Sequence, residues 1–398
     1  MVRSLGRWGK AARRIRPQLE EWRASFHREP ELSDREFKTR DKVVRALNEL
    51  GIPARTYPNF NGVLGLLGTD RTGPVVALRA DMDALPVTER TGLPFASIEA
   101  GRMHACGHDI HMAALLGAGA ILRASRTPLR GPVKLIFQPA EEEGTMGGAA
   151  PFLARGAFRR PKVDYVVGLH VEPTVPLGKI GWRVGPVMAA ADHFRLTIRG
   201  TAGHAGTPHR GPDAILVAAE VVNGVQALVS RVRNPLDPVV ISIGMIHGGT
   251  RHNILPASVE LQGTVRTFQS TTRDRVELVF RRRVGHLVKS LGASVRIEYI
   301  RGYPVTINDP TATSTVVDAL RNEFGPDALI EMPEPMMAAE DFSRYLEVVP
   351  GTFLFLGVAT RAPQASLHSP TFAPDQSAVS VGAAALSAAV ERLQRSPP

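Results

Sequence analysis

The chain has 398 residues, which is more than one hydrophobic core usually organises, so two domains are expected. Its 48 basic and 38 acidic residues give a formal net charge of +10, but the arginines are scattered and no basic run is interleaved with aromatics, which argues against a nucleic-acid binder. A single cysteine excludes an intrachain disulfide, and no apolar stretch approaches the roughly 20 residues of a membrane helix. The expected location is therefore a reducing compartment, the cytoplasm.

The first part of the chain alternates helical and strand patterns. The apolar face of the first predicted helix consists of Ile15, Leu19, Trp22 and Phe26. Buried strands are predicted at residues 75–78, 133–137 and 163–169, the last of them ending at His170. Because helical patterns lie between these strands, we predict an α/β domain whose mixed sheet is covered by helices. In such folds the functional residues follow the carboxyl ends of the strands.

The pattern changes near residue 187. The elements that follow come in the order strand, helix, strand, strand, helix, strand, which is the split βαβ pattern of a small two-layer α+β domain. The α/β pattern then resumes near residue 304. We therefore predict a catalytic domain formed by residues 1–186 and 304–398, interrupted by a lid or dimerisation domain over residues 187–303.

One loop concentrates groups that bind metal ions. Three histidines, one cysteine and one aspartate lie within residues 104–111, where Cys106 and His108 flank a glycine. Thiolate and imidazole groups suit zinc and its neighbours in the transition series. The sequence therefore predicts a metal site that contains Cys106 and His108.

A run of three glutamates, Glu141 to Glu143, follows the strand predicted at 133–137. Adjacent carboxylates repel one another, and a bound cation would relieve that repulsion. Metal sites commonly pair a ligand carboxylate with a free one that acts as general base. His170 and His368 are further candidate ligands. Nearby aspartates that could either orient imidazoles or cap a turn are Asp81 and Asp83.

These segments together resemble one family nearly end to end. The segments that carry the resemblance are residues 27–33, 79–86, 104–111, 138–142, 168–170, 203–205, 253–256, 340–342 and 367–368. The chain resembles the amidohydrolase branch of the two-metal aminoacylase and carboxypeptidase superfamily. That branch includes hippurate hydrolases, N-acyl-L-amino-acid amidohydrolases and the plant hydrolases of indoleacetyl–amino-acid conjugates.

The resemblance implies two divalent metal ions per subunit, with zinc or manganese expected and cobalt or nickel as alternatives. The implied metal ligands are Cys106, His108, Glu142, His170 and His368. Glu141 resembles the family's general base, which takes a proton from the attacking water and later gives it to the leaving amine. Asp83 and Asp109 resemble residues that orient the ligands from behind.

The glutamate run leaves two registers open. The family usually has two glutamates at this place, whereas this chain has three. Counting from Gln138 makes Glu141 the base and Glu142 the ligand. Counting back from Gly144 moves the two roles to Glu142 and Glu143. We favour the first register, because the preceding strand determines where the loop begins.

In the inserted domain the resemblance implies a role in substrate binding. His204 resembles the histidine that contacts the tetrahedral oxyanion, and in dimeric relatives it reaches the site of the neighbouring subunit, so a homodimer is implied. Asn253 and Arg266 resemble the pair that binds the free carboxylate of the substrate, a task for which a guanidinium is well suited.

The predicted function is metal-dependent hydrolysis of N-acyl amino acids to a carboxylic acid and a free amino acid. Within the same superfamily the alternatives are a dipeptidase, a carboxypeptidase or an N-acetyl-diaminopimelate deacetylase. These activities stay open because the shape of the substrate pocket decides among them and a sequence does not give that shape. An alternative from another class is a non-catalytic relative that keeps the fold as a metal-binding module. No nucleic-acid or membrane partner is expected.

Overall fold

A computed structural model describes residues 6–231, 234, 236–360 and 365–395. Its helices are α1 (Arg7–Arg14), α2 (Arg16–Arg28), α3 (Phe37–Glu49), α4 (His108–Arg123), α5 (Ala149–Ala154), α6 (Ala214–Arg231), α7 (Ser270–Ser290), α8 (Pro310–Phe324), α9 (Ser343–Leu346) and α10 (Ser377–Leu393). Its strands are β1 (Ala54–Tyr57), β2 (Phe60–Leu67), β3 (Val76–Asp81), β4 (Val133–Gln138), β5 (Tyr165–Pro176), β6 (Ile180–Trp182), β7 (Gly185–Met188), β8 (Ala190–Arg199), β9 (Gly203–His204), β10 (Val239–Gly248), β11 (Ile254–Leu255), β12 (Ser258–Thr267), β13 (Ser294–Arg301), β14 (Thr306–Asn308), β15 (Leu329–Glu331) and β16 (Gly351–Ala359). None of these helices is both long enough and apolar enough to cross a membrane.

The chain forms two compact units. The first unit comprises Met1–Val187, Thr306–Pro335 and Asp341–Pro398, and the second comprises Met188–Val305 and Met336–Glu340. The second unit is thus inserted in the sequence of the first. That it acts as a lid or a dimerisation domain stays a prediction.

The first unit is built on an eight-stranded mixed sheet in the order β1-β2-β4-β3-β5-β16-β6-β15. Four central strands are parallel to one another, in the order β4, β3, β5 and β16. Strands β3 and β4 are buried along their whole length, as is expected for strands that have helices on both faces. The main core includes Leu78 of β3, Val167 of β5, Leu116 of α4 and Leu386 of α10. The predicted α/β class with a helix-covered mixed sheet is confirmed.

Two neighbouring strands end at the same edge of this sheet. Asp81, the last residue of β3, is paired in register with Gln138, the last residue of β4. The loops that carry Asp83 and Glu141 therefore leave the sheet side by side. The third predicted strand differs from its prediction: β5 does not end at His170 but continues to Pro176. The reason is that β16 pairs with it along this length, with Phe355 opposite His170.

The N-terminal apolar stripe is divided between two helices. The helical conformation is interrupted at Ile15, which is the N-cap of α2. Of the predicted apolar face, only Leu19, Trp22 and Phe26 therefore belong to α2. Pro17 lies in the first turn of α2 and lacks the N–H that a continuous helix would need at this position. Leu19 and Phe26 of α2 are nevertheless buried in the main core, as the periodicity predicted.

The second unit is a two-layer α+β structure. Its four-stranded antiparallel sheet has the order β10-β12-β8-β13. Phe194, Leu196 and Ile198 alternate along β8 and bury their side chains in a core shared with Val221 of α6 and Phe280 of α7. Alternate burial along a strand means that the helices cover one face of the sheet. The observed element order is the split βαβ order.

Candidate metal-dependent active site

Two of the predicted ligands lie where the loop before α4 meets the helix: Cys106 in the loop and His108 as the first helical residue. Gly107 between them has φ +81°, and a Cβ added there would lie 2.5 Å from Cγ2 of Val171. Only glycine fits both this left-handed backbone and this close approach to β5. Helix α4 begins at His108, so the imidazole of His108 projects from the first turn of a buried helix.

His108 is held by one ring nitrogen and presents the other. Its Nδ1 donates to the backbone oxygen of Asp83 over 2.8 Å, which leaves Nε2 buried and without a hydrogen-bond partner among the described residues. Nε2 lies 3.9 Å from Oε1 of Glu142 and 3.8 Å from Oδ2 of Asp81. Burial opposes a charge on this ring, but Asp81, Asp83 and Glu142 outweigh it and raise the pKa of His108 to about 10.

The three adjacent glutamates have three different environments. Glu141 is buried. The backbone N–H of Glu142 donates to Oδ2 of Asp83 over 2.9 Å, while its Oε1 is buried without a hydrogen-bond partner among the described residues. The carboxylate of Glu143 instead turns into the following loop, where it accepts from the backbone N–H groups of Thr145 and Met146 over 3.0 and 2.8 Å. The run therefore supplies two inward-facing carboxylates, followed by one that caps a turn.

The remaining predicted ligands converge on the same place. Sγ of Cys106 lies 3.4 Å from Nε2 of His170, whose Nδ1 contacts the oxygen of Val171 at 2.7 Å. His368 comes from the far end of the unit's sequence, and its backbone N–H donates to the oxygen of Ala105 over 2.8 Å. Its Nε2 reaches 3.3 Å from Oε1 of Glu142. All five predicted ligands are thus brought together.

This donor set fits metal ions. The candidate ligand atoms of Cys106, Glu142 and His368 lie within 4.8 Å of one another, and so do those of His108, Glu141 and Glu142. The two groups share Glu142, an arrangement that suits two ions close together. Burial and the neighbouring carboxylates raise the pKa of the Cys106 thiol well above its ordinary value, so a thiolate here needs an adjacent cation. The orphaned Nε2 of His108 and Oε1 of Glu142 are positioned to bind one.

Asp109 lies behind this cluster and contacts a different set of residues. Its Oδ2 accepts from Nε of Arg23 over 3.0 Å and lies 2.9 Å from Nδ1 of His27. Within the described residues it makes no hydrogen bond to any of the five predicted ligands. Asp83, in contrast, contacts both His108 and Glu142. Any effect of Asp109 on the ligands would therefore pass through α4, on which it follows His108.

The second unit carries the three remaining predicted residues. His204 is exposed, and its Nδ1 accepts from the backbone N–H of Gly206 over 2.9 Å. Asn253 is close to it, since its backbone oxygen accepts from the N–H of Ala205 over 3.1 Å. The half-buried Arg266 contacts Thr264.

Arg266 and Asn253 lie at opposite ends of the second unit's sheet. Arg266 pairs with Ala191 near the start of β8, whereas Ser258 pairs with Arg199 at its end. The eight residue-to-residue steps from Ser258 to Arg266 span about 27 Å at roughly 3.4 Å per step, and Asn253 precedes Ser258. Arg266 and the segment that leads back to Asn253 therefore lie at opposite ends of β12.

The sequence profile of peptidase family M20/M25/M40 matches residues 77–392. The chain belongs to this family. It is 37% identical over 376 residues to thermostable carboxypeptidase 1 of Saccharolobus solfataricus, a match that covers 92% of this chain and 94% of the relative. It is 39% identical over 367 residues to an N-acetyl-L-cysteine deacetylase of Bacillus subtilis, which covers 92% of this chain and 85% of that protein. The solved structure of a dinuclear metal-binding peptidase of family M20 from Bacillus subtilis has a TM-score of 0.83 and 32% identity, with 97% of this chain and 100% of that chain covered.

The resemblance found in the motifs is confirmed, and with it the class of enzyme. Members of peptidase family M20/M25/M40 are metal-dependent hydrolases that act on amide bonds, and this chain is one of them. The family profile begins at residue 77, within β3, and extends into α10. It therefore includes all five predicted ligands.

This family member also contains a buried polar network to which sequence reasoning assigned no firm role. His111 donates from Nδ1 to Asp81 over 2.6 Å and accepts at Nε2 from the backbone N–H of Val171 over 2.9 Å. Both ring nitrogens are thus used, so His111 supports the site and is not a free ligand. Arg79 donates to Asp81 over 2.6 Å and to Asp341 over 2.8 Å. The signal that could have revealed this network is the i, i+2 spacing of Arg79 and Asp81, which puts both on one face of β3.

Proposed function

We propose that this enzyme hydrolyses N-acyl amino acids to a carboxylic acid and a free amino acid. Two divalent ions would be held by Cys106, His108, Glu142, His170 and His368. The observation that supports the proposal is the convergence of these five side chains beside the buried Glu141, a carboxylate within 4.8 Å of the ligand atoms of His108 and Glu142. Zinc or manganese are the ions we propose first, with cobalt and nickel as alternatives.

Glu141 would act as the general base and then as the general acid. Its carboxylate would accept a proton from the attacking water and deliver it to the nitrogen of the leaving amine, which breaks the amide bond. When bound, the ions polarise the scissile carbonyl and lower the pKa of the attacking water. Asp83 would keep Glu142 and His108 in place, because it holds one by its carboxylate and the other by its backbone oxygen.

The substrate carboxylate and the oxyanion would be bound by residues of the second unit. Arg266 offers a half-buried guanidinium, and the exposed His204 offers an imidazole Nε2. About 27 Å of strand separates Arg266 from Ser258, the end of β12 from which the chain leads back to Asn253 and its neighbour His204. We propose that the chain works as a homodimer in which His204 and Asn253 serve the site of the neighbouring subunit.

Two features bear on the range of substrates and on the location. The curated relatives are named for a carboxypeptidase and for an N-acetylcysteine deacetylase, so peptide and N-acyl substrates are both reached by related chains. A dipeptidase, a carboxypeptidase or an N-acetyl-diaminopimelate deacetylase would use the same cluster. We propose a cytoplasmic location, because the single thiol, as a ligand, must stay reduced.

A substrate panel tests the proposal. Purified protein would be given N-acetyl, N-benzoyl and indoleacetyl amino acids, dipeptides and N-acetyl-diaminopimelate, each with Zn²⁺, Mn²⁺, Co²⁺ or Ni²⁺, alongside carboxamide analogues that lack the free carboxylate. We expect hydrolysis of N-acyl amino acids and a loss of activity on the carboxamides. Turnover restricted to dipeptides would favour a peptidase. An absence of turnover across the panel, with metal bound, would favour a non-catalytic metal-binding protein.

A variant of the proposed base completes the test. Glu141→Gln should bind the same number of metal ions as the wild type but lose roughly 10²–10⁴ in kcat, because it removes the proton acceptor. The matched control is Glu143→Gln, two residues along the same turn, whose carboxylate contacts only the following loop in the described bonds. Near-normal turnover in Glu141→Gln would refute the assignment of the base.

A further inference from the structure

Glu36 is a buried acidic residue that lies far from the metal-binding cluster in sequence but is hydrogen-bonded to Ala140, the residue before the glutamate run. It is the residue that precedes α3, and its side chain is completely shielded from solvent. Nothing in the catalytic roles described above uses it. Among the described residues no basic side chain forms an ion pair with Glu36, so its buried oxygens need neutral hydrogen-bond donors.

The carboxyl group of Glu36 accepts from three neutral donors. Oε1 accepts from the backbone N–H of Ala140 over 2.8 Å and from that of Asp34 over 3.0 Å, and Oε2 accepts from Nδ2 of Asn61 over 3.2 Å. Burial, with the nearby negative charge of Asp83, raises the pKa of Glu36 to about 8. The side chain therefore ties together the segment before α3, the strand β2 and the loop after β4.

The bond to Ala140 is the one that reaches the catalytic residues. Ala140 is buried and has φ +57° and ψ +40°, a left-handed conformation that non-glycine residues rarely adopt. It is the last residue before the turn Glu141–Glu143. The direction in which Glu141 and Glu142 leave β4 thus depends on a backbone conformation that the Glu36 hydrogen bond helps to hold.

We infer that Glu36 is a positioning residue that aims Glu141 and Glu142 by anchoring the left-handed peptide of Ala140. The inference rests on the proposed hydrolytic function for its catalytic consequence, but its structural consequence is independent of it. Removal of the acceptor leaves a buried N–H unsatisfied, and this favours relaxation of Ala140 towards an ordinary conformation. Glu141 would then be displaced from the attacking water.

The chain offers a conservative variant and a matched control. Glu36→Leu keeps roughly the volume and removes the acceptor, whereas Glu36→Gln keeps an amide oxygen that can accept from Ala140. The control is Glu31→Leu, because Glu31 is also buried and accepts through Oε2 from the N–H and Oγ1 of Thr39 over 2.8 and 3.0 Å. Its described side-chain bonds join the segment before α3 to Thr39 in the first turn of α3 and do not reach the loop after β4.

The experiment measures kcat, KM, thermal unfolding and amide hydrogen exchange in the metal-loaded full-length protein. Glu36→Leu should lower kcat by roughly 10²-fold with little change in KM, as expected for a misplaced catalytic group. It should also speed exchange in a peptide covering residues 139–144. Glu36→Gln should restore both towards wild type, and Glu31→Leu should lower the unfolding temperature without either effect.

Two results would overturn the inference: unchanged exchange at residues 139–144 in Glu36→Leu, or a Glu36→Gln variant as impaired as Glu36→Leu. If wild type hydrolyses no substrate of the panel, the proposed function fails. The exchange measurement then still decides whether Glu36 anchors Ala140.

Discussion

Oε1 of Glu142 lies 3.3 Å from Nε2 of His368, although the two residues come from distant parts of the sequence. The same oxygen has no hydrogen-bond partner among the described residues and is also 3.9 Å from Nε2 of His108. Glu143 is one residue further along and contacts a backbone turn instead. The geometry therefore favours Glu142 over Glu143 as a metal ligand, and this choice between the two registers can be measured.

Glu142→Gln should reduce the metal content of the purified protein, because a neutral amide oxygen replaces the carboxylate shared by the two candidate groups. Glu143→Gln should keep the wild-type content of about two ions per chain that the proposed site implies. Elemental analysis after extensive dialysis measures both. Full metal content in Glu142→Gln, together with metal loss in Glu143→Gln, would move both roles one residue along the chain.

Asp83→Ala should weaken metal binding by roughly 10–100-fold, the usual effect of losing a residue that orients ligands. The carboxylate of Asp83 accepts from the N–H of Glu142 and from Oγ of Ser33, both of which lose their acceptor. Competition with a chromophoric chelator measures the affinity. Ser33→Ala is the control, because it removes one of these bonds and leaves the contact with Glu142. Equal losses in the two variants would argue against a specific role of Asp83.

His204 can be tested by subunit mixing. His204→Ala and Glu141→Gln should each be nearly inactive as pure proteins. If His204 serves the neighbouring subunit, a mixed dimer contains one intact site, so refolded or co-expressed mixtures should recover up to about a quarter of wild-type activity by statistical pairing. Differently tagged chains allow the mixed dimers to be purified. Verified mixed dimers without activity would refute a shared site, and a monomer in solution would refute the dimer itself.

His27 should make the stability of the fold depend on pH. It is buried between Asp109 and Glu89, and although burial opposes a charge, the two carboxylates raise the pKa of His27 to about 9. A folded-state pKa above the unfolded value of about 6.5 means that the stabilisation is complete below pH 6.5 and is lost as the pH rises through 9. The shift corresponds to about 3 kcal/mol.

Chemical unfolding at pH 6, 8 and 10 measures this dependence. The free energy of unfolding of the wild type should fall relative to that of His27→Gln as the pH rises, because only the wild type loses the charged imidazole. The variant corrects for all other titrating groups. A constant difference between the two proteins across this range would contradict a protonated His27 in the native state.

The sequence by itself determined the family, the α/β class and the presence of a metal-binding site in a hydrolase. Cys106 and His108 stand out because thiol and imidazole groups so close together are rare without a metal. Strands β3 and β4 could be recognised because a buried parallel strand is an apolar run that ends in polar residues. These features are local in the chain, which is why composition and spacing reveal them.

The tertiary structure alone decided which groups meet. Glu142 and Glu143 are chemically identical in the sequence, but in the folded chain Glu142 faces His108 and His368, whereas Glu143 accepts from the following loop. His170 lies within β5 and not at its end because β16 pairs beside it. The separation of Arg266 from Asn253 likewise follows from strand register, which depends on hydrogen bonds between residues distant in the chain. Such pairings leave no mark on local sequence, so only the folded chain reveals them.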